Sequence, residues 1–211
     1  MQYIYIIGWY TLLIAVIGDP LVSAILSLFY KEYNSLTMSI SALGNPQSPV
    51  RSLFNIWMFI EGILYLIALP TIYAQYILAS IWMTVLLIIF ISVFAIGACI
   101  FTSFFCVNET KDIVTVSSKI HGVGSVIGFM LMLFVPLLIA VLSFDNEESI
   151  TGWISIACLI MAIAFFVLFI MSDKEKFSNT IISYEGLWQR LNLIFMYLPL
   201  AIISVENIMT V

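Results

Sequence analysis

The sequence predicts an all-α polytopic membrane protein: six transmembrane helices in one bundle, with a short interfacial helix in the first loop. Three observations predict it. The chain is 63% hydrophobic and 9% charged, with a mean hydropathy of +1.16, which excludes a soluble globule. Six apolar runs, Tyr3–Phe29, Leu53–Tyr73, Ile77–Phe105, Ile120–Leu142, Thr151–Met171 and Trp188–Ile208, each reach the ~20 residues that a bilayer demands. All seven Lys and Arg residues fall in or beside alternate loops: Lys31 and Arg51 at the first, Lys111 and Lys119 at the third, Lys174, Lys176 and Arg190 at the fifth. Cytoplasmic loops collect basic residues, so the odd loops are expected inside the cell membrane and both termini outside.

The runs and loops fill residues 1–211, so a single transmembrane domain is expected, with no extramembrane domain. Span one lacks a basic n-region and a small-x-small cleavage site and is too long for a signal h-region, so it is expected to stay as a helix. In the first loop, Tyr33, Leu36, Ile40 and Leu43 recur at helical spacing. Asn34 or Ser35 can cap that segment and Gly44-Asn45-Pro46 can stop it, which predicts an amphipathic helix in the interface. Ser48-Pro49 offers an N-cap and a first-turn proline for span two.

Loop two reads as a tight hairpin around Leu69-Pro70-Thr71, and the short loop four, with Asp145, Glu147 and Glu148, pairs spans four and five. Gly124 and Gly128 share one face of span four, a spacing that lets another helix approach closely. Pro20, Pro136 and Pro199 fall inside spans one, four and six, where kinks can open a cavity between helices. Tyr5, Trp9, Tyr10, Phe29, Tyr30, Tyr33, Trp153 and Trp188 cluster near span ends, where aromatic side chains favour the headgroup level. Cys99, Cys106 and Cys158 form no C-x-x-C pair, so neither a redox motif nor a zinc clip is expected. Scattered single basic residues give no nucleic-acid footprint.

Candidate chemistry lies in three groups. Asp19 and Glu61 sit inside consecutive spans, roughly 16 Å and 12 Å from the inner boundary at 1.5 Å per residue. An ionised carboxylate there costs about 2.5 kcal/mol or more, so each is expected to face the bundle interior, protonated or partnered, with at least one protonated at neutral pH. His121, the one histidine, opens span four beside Lys119. It cannot build a metal site alone, but it suits acid/base chemistry. No Gly-x-Ser-x-Gly elbow accompanies it. At the start of span six, Glu185 and Gln189 share a face, and Arg190 beside them offers a fork of donors for a phosphate or carboxylate.

The run Ser39-Ile40-Ser41-Ala42-Leu43-Gly44, then Phe54-Asn55, Gly62, His121-Gly122, and Gly186 with Gln189-Arg190-Leu191, resembles the bacterial six-helix membrane family catalogued as domain of unknown function nine-nine-eight. The likeness runs in order over nearly the whole chain, on short motifs. The family usually has an acidic residue where this chain has Ala42, so no acid is available at that position. The family's activity is unsettled, and the resemblance implies a fold and a site, not a reaction.

The leading expectation is a protein that binds or transports a lipid head group or small amphiphile at the inner face. Ser39, Ser41, Asn55, His121, Gln189 and Arg190 would line the pocket above Asp19 and Glu61, and the first-loop helix would be its lid. Arg190 would hold an anionic group and His121 would donate or shuttle a proton. Membrane lipids are the expected partners, with no cofactor or metal. Two alternatives stay open: an intramembrane enzyme on a lipid or lipid-linked substrate with His121 as acid/base, and a non-catalytic accessory or immunity-type subunit.

Overall fold

The computed structural model describes residues 2–108 and 115–210. Lys111, counted above in the third loop, lies outside the described residues. Among them, six helices are long and apolar enough to cross a membrane. They are span one (Gln2–Ser27), span two (Arg51–Tyr76), span three (Ile81–Phe104), span four (Val116–Asp145), span five (Ser149–Ser172) and span six (Glu185–Met209). The outer surface carries Ile14, Ile17, Leu21, Ile60, Trp82, Trp153 and Ile160 exposed, an apolar coat that only lipid can solvate. The chain is a multi-pass membrane protein.

The spans form a closed ring: each packs on its sequence neighbours, and span one packs on span six. Trp9, Leu12, Tyr65, Ile72, Ile139 and Met196 fill its interior. Trp9, read among the aromatics near the span ends, is fully buried against neighbouring helices.

Two irregularities shape the ring. Span three contains a π-turn over Ala95–Ile100, where the backbone bulges by one residue. Inside it, Gly97 meets Gly124 of span four: a Cβ on Gly97 would lie 2.8 Å from the Gly124 carbonyl oxygen, and one on Gly124 would lie 2.6 Å from that of Gly97. The two backbones touch, as the glycine spacing anticipated. Span four breaks between Met132 and Val135, with Pro136 at the start of its second half. The half Val135–Asp145 packs on spans three, five and six, whereas Val116–Met132 packs on span three. The break thus lets the loop-three half of span four lean away from spans five and six.

The loops differ from expectation in detail. The first-loop helix is one 3-10 turn over Ile40–Gly44, not a longer α-helix from Asn34. The Asn34 side chain turns the chain instead, its Oδ1 accepting from the Leu36 N–H at 2.9 Å. Tyr33, Ile40 and Leu43 are buried against the bundle. Span two starts at Arg51, because Ser48 Oγ bonds the Val50 N–H (3.3 Å) in a turn and caps no helix. Pro70 lies within span two, and the reversal comes at residues 77–80. Membrane helices tolerate such a proline because neighbours and local adjustment satisfy the freed carbonyl. Loop four reverses the chain with Glu147 at φ 64°. The Glu148 N–H reaches the Ser143 carbonyl (2.8 Å) and the Glu147 N–H that of Phe144 (3.1 Å), the paired closure of a Schellman cap.

Candidate functional site

Where span four leans away, a cavity of about 410 Å³ opens. Its polar lining comes from Ser39 and Ser41 of loop one, Thr102 of span three, His121 and Ser125 of span four, and Gln189 of span six. Val126 and Met130 of span four and Phe169 and Ile170 of span five are part of its apolar lining. Val126, Met130 and Ile170 are 62%, 41% and 49% exposed, so the cavity is open beside these residues of spans four and five.

His121 is buried, and its Nδ1 lies 2.8 Å from the carbonyl oxygen of Phe105. A carbonyl only accepts, so Nδ1 carries the hydrogen, and in the neutral ring the Nε2 lone pair is then the acceptor. Gln189 Oε1 accepts the Ile40 N–H at 2.7 Å, which pins the 3-10 turn to span six beside the cavity. Ser39 and Ser41 bond each other at 3.1 Å, and neither bonds His121, so no Ser–His relay is assembled.

Of the two buried acids, Asp19 lines the cavity and Glu61 stands behind it. Asp19 Oδ2 accepts from the Tyr197 hydroxyl at 2.9 Å. Glu61 is fully buried, neither of its oxygens has a hydrogen-bond partner, and it lies within electrostatic reach of Asp19. Both carboxyls face the bundle interior.

Arg190 and Asn55 do not line the cavity. The Arg190 guanidinium spans to loop one: Nη1 donates to the carbonyls of Ser35 (2.8 Å), Met38 (3.3 Å) and Gly186 (2.9 Å), and Nη2 to the Tyr33 hydroxyl (2.5 Å). The expected anion fork is thus occupied by the protein's own backbone. A Cβ on Gly186 would sit 2.2 Å from the Met38 carbonyl oxygen, so a glycine there lets loop one reach span six. Burial pushes the Tyr33 phenol above its ordinary value, and the Arg190 charge opposes that push. Asn55 packs on Gly44, with its Oδ1 buried and unpartnered.

Tyr197, Thr102, Ser125 and the Phe105 carbonyl are site groups that sequence reasoning did not find. Tyr197 had a readable signal, a tyrosine well inside an apolar span and far from either headgroup layer. A backbone carbonyl has none. Among the described residues, no three His, Cys, Asp or Glu side chains gather as metal ligands.

A family model described as "Protein of unknown function (DUF998)" matches residues 13–206. The chain belongs to this family. No curated protein and no solved structure matches it. The DUF998-like motifs, far apart in sequence, meet around one place: Ser39, Ile40, Ser41, Phe54, His121, Gly122 and Gln189 all line the cavity. Gly186 and Arg190 fasten loop one beside it. Gly62 packs on the π-turn, where a Cβ would lie 2.8 Å from the Ala95 carbonyl oxygen.

Proposed function

We propose that this DUF998 protein binds a lipid head group or small amphiphile in the cavity, with the polar end on the inner wall and the chain leaving between spans four and five. The observation that carries this reading is the cavity's mixed lining. Side chains that hydrogen-bond (Ser39, Ser41, Thr102, His121, Gln189) share it with exposed apolar side chains of spans four and five (Val126, Met130, Ile170). An amphiphile matches such a lining without leaving an unsatisfied polar group in the membrane. In this reading the odd loops are cytoplasmic and both termini outside, so the ligand comes from the inner leaflet. The test is native mass spectrometry of protein released gently from membranes. Wild type should retain an amphiphile that Ser125→Trp, which fills the cavity, releases; equal retention by both would end the proposal.

A second reading as an intramembrane enzyme draws on the Phe105 carbonyl, which holds His121 in the tautomer a general base needs. It predicts turnover of the retained amphiphile that His121→Ala abolishes while binding persists.

A further inference from the structure

We infer that the cavity selects a hydrophobic ammonium ion, its nitrogen held against Asp19 and surrounded by aromatic rings. This rests on the amphiphile reading and adds the charge of the polar end.

Among the described residues, the charged ones that line the cavity are Asp19 and Glu185, both acidic, and no Lys or Arg lines it. Arg190, which would have favoured an anion, is committed to the carbonyls of loop one. Neutral His121 satisfies the Phe105 carbonyl without a second proton. An anionic head group would therefore enter a site with two carboxyl groups in its wall, Glu61 close to one of them, and no guanidinium or ammonium in its lining among the described residues.

For a cation the balance reverses. Asp19 is 4% exposed, and while Oδ2 takes the Tyr197 hydrogen bond, Oδ1 receives none from the described residues. A buried carboxylate at this depth is held only by a proton or a positive partner. An ammonium ion that enters from the side supplies that partner. The carboxyl proton leaves to water at the loop face as the cation arrives, so the net charge of the site is unchanged. The rings of Phe54, Phe94, Phe129, Phe166, Phe169 and Tyr197 complete the lining. Phe94 meets Tyr197 edge-on at 6.2 Å and Phe129 at 5.8 Å, which makes one continuous aromatic wall. Aromatic faces attract cations, most strongly where water is excluded. An uncharged chain gains apolar burial there but nothing from Asp19.

Proton exchange makes binding pH-dependent. The titratable and charged groups around Asp19 are Tyr197 and Arg190 from span six, Glu61 and Tyr65 from span two, and Cys99 from span three. His121 and Glu185 line the same cavity. Tyrosine and cysteine stay neutral near pH 7, so a carboxyl or the His121 imidazole exchanges the proton, and Asp19→Asn tells which.

The experiment uses the full chain in phosphatidylcholine nanodiscs, with empty nanodiscs as control. Calorimetry follows added dodecyltrimethylammonium, uncharged dodecanol and anionic dodecanoate. The cation should bind with an affinity that rises between about pH 5 and 8 and falls about tenfold or more in Asp19→Asn. The other two should bind more weakly and ignore that substitution. Lyso-phosphatidylethanolamine as competitor distinguishes sources: displacement of the cation assigns a lipid amine, and failure to displace assigns a free hydrophobic amine. Equal binding of all three probes, or cation binding unchanged in Asp19→Asn, overturns the ammonium assignment. Should Asp19→Asn fail to fold, the pH dependence measured in His121→Gln decides, since a flat profile there overturns it equally. Ser125→Trp separates the layers. If it blocks every probe while charge proves irrelevant, the cavity reading survives alone; if it blocks none, the cavity reading falls too.

Discussion

At the scale of single residues, Arg190 shows how a side chain with the right chemistry for a ligand can be spent on architecture. Its guanidinium donates to three carbonyls and a phenol at the bundle's end and so ties loop one to span six. Hydrogen bonds from a charged donor contribute about 1.5–3 kcal/mol net. A lysine cannot reach the same carbonyls from one point charge. Arg190→Lys should therefore lower stability by about 2 kcal/mol in thermal unfolding and expose residues 31–39 to protease. An unchanged midpoint would mean the staple contributes nothing. Gly124→Ala should cost about 1–3 kcal/mol, because the added methyl meets backbone that cannot rotate away. The types of these residues were legible in the sequence, but the partners were not. Nothing in the letters around Arg190 says that loop one folds back far enough to present its carbonyls.

At the scale of elements, the helices were readable because twenty-residue apolar runs have few alternatives in a membrane. Their ends were less so. Pro70 looked like a turn by the rules of soluble proteins, yet the reversal lies at residues 77–80, where the Ala79 and Ser80 N–H groups return to the Tyr76 carbonyl. The first-loop segment has helical spacing of apolar residues, but the Asn34 side chain and the pull of Gln189 on Ile40 divide it into turns and one 3-10 helix. The cap after span four makes the sharpest prediction here. Glu147 occupies a left-handed position that costs a residue with a Cβ roughly 1–2 kcal/mol. Glu147→Gly should stabilise the protein by about 1 kcal/mol, visible as a raised unfolding midpoint; a loss would show that the side chain makes a compensating contact.

At the scale of the whole molecule, the ring arrangement places loop four beside the end of span six. Glu148 there is raised above its ordinary 4.5, first by burial and then by the charge of Glu206. Its protonated form is the one favoured by folding, so its contribution is intact below the unfolded value and is lost as pH rises toward the folded one. Glu148→Gln should therefore stabilise the protein at neutral pH and leave it unchanged below about pH 4.5; a gain that persists in acid would refute the assignment. Orientation can be checked in a Cys106→Ser background. Cysteine at 147 should label from outside, and cysteine at 174 only after permeabilisation; the reverse order would invert the proposed topology. The convergence of loop one with the starts of spans four and six followed from counting spans, since odd loops must share a face. The opening beside spans four and five did not, because it depends on how far one half of span four leans, a distance no residue pattern encodes.

The π-turn of span three holds that half of span four, and it has a genetic reading as well as a geometric one. A π-turn is one residue more than an α-helix needs, so removing a single codon from Ala95–Ile100 would leave a regular, equally apolar helix that still crosses the bilayer. The turn already absorbs that residue, so the segment beyond the deletion would keep its facing, with Thr102 still at the cavity wall and the Phe105 carbonyl still at His121. What would go is the bulge in which Gly97 meets Gly124. An in-frame loss of three nucleotides could thus pass every test of membrane insertion and change only how span four is held.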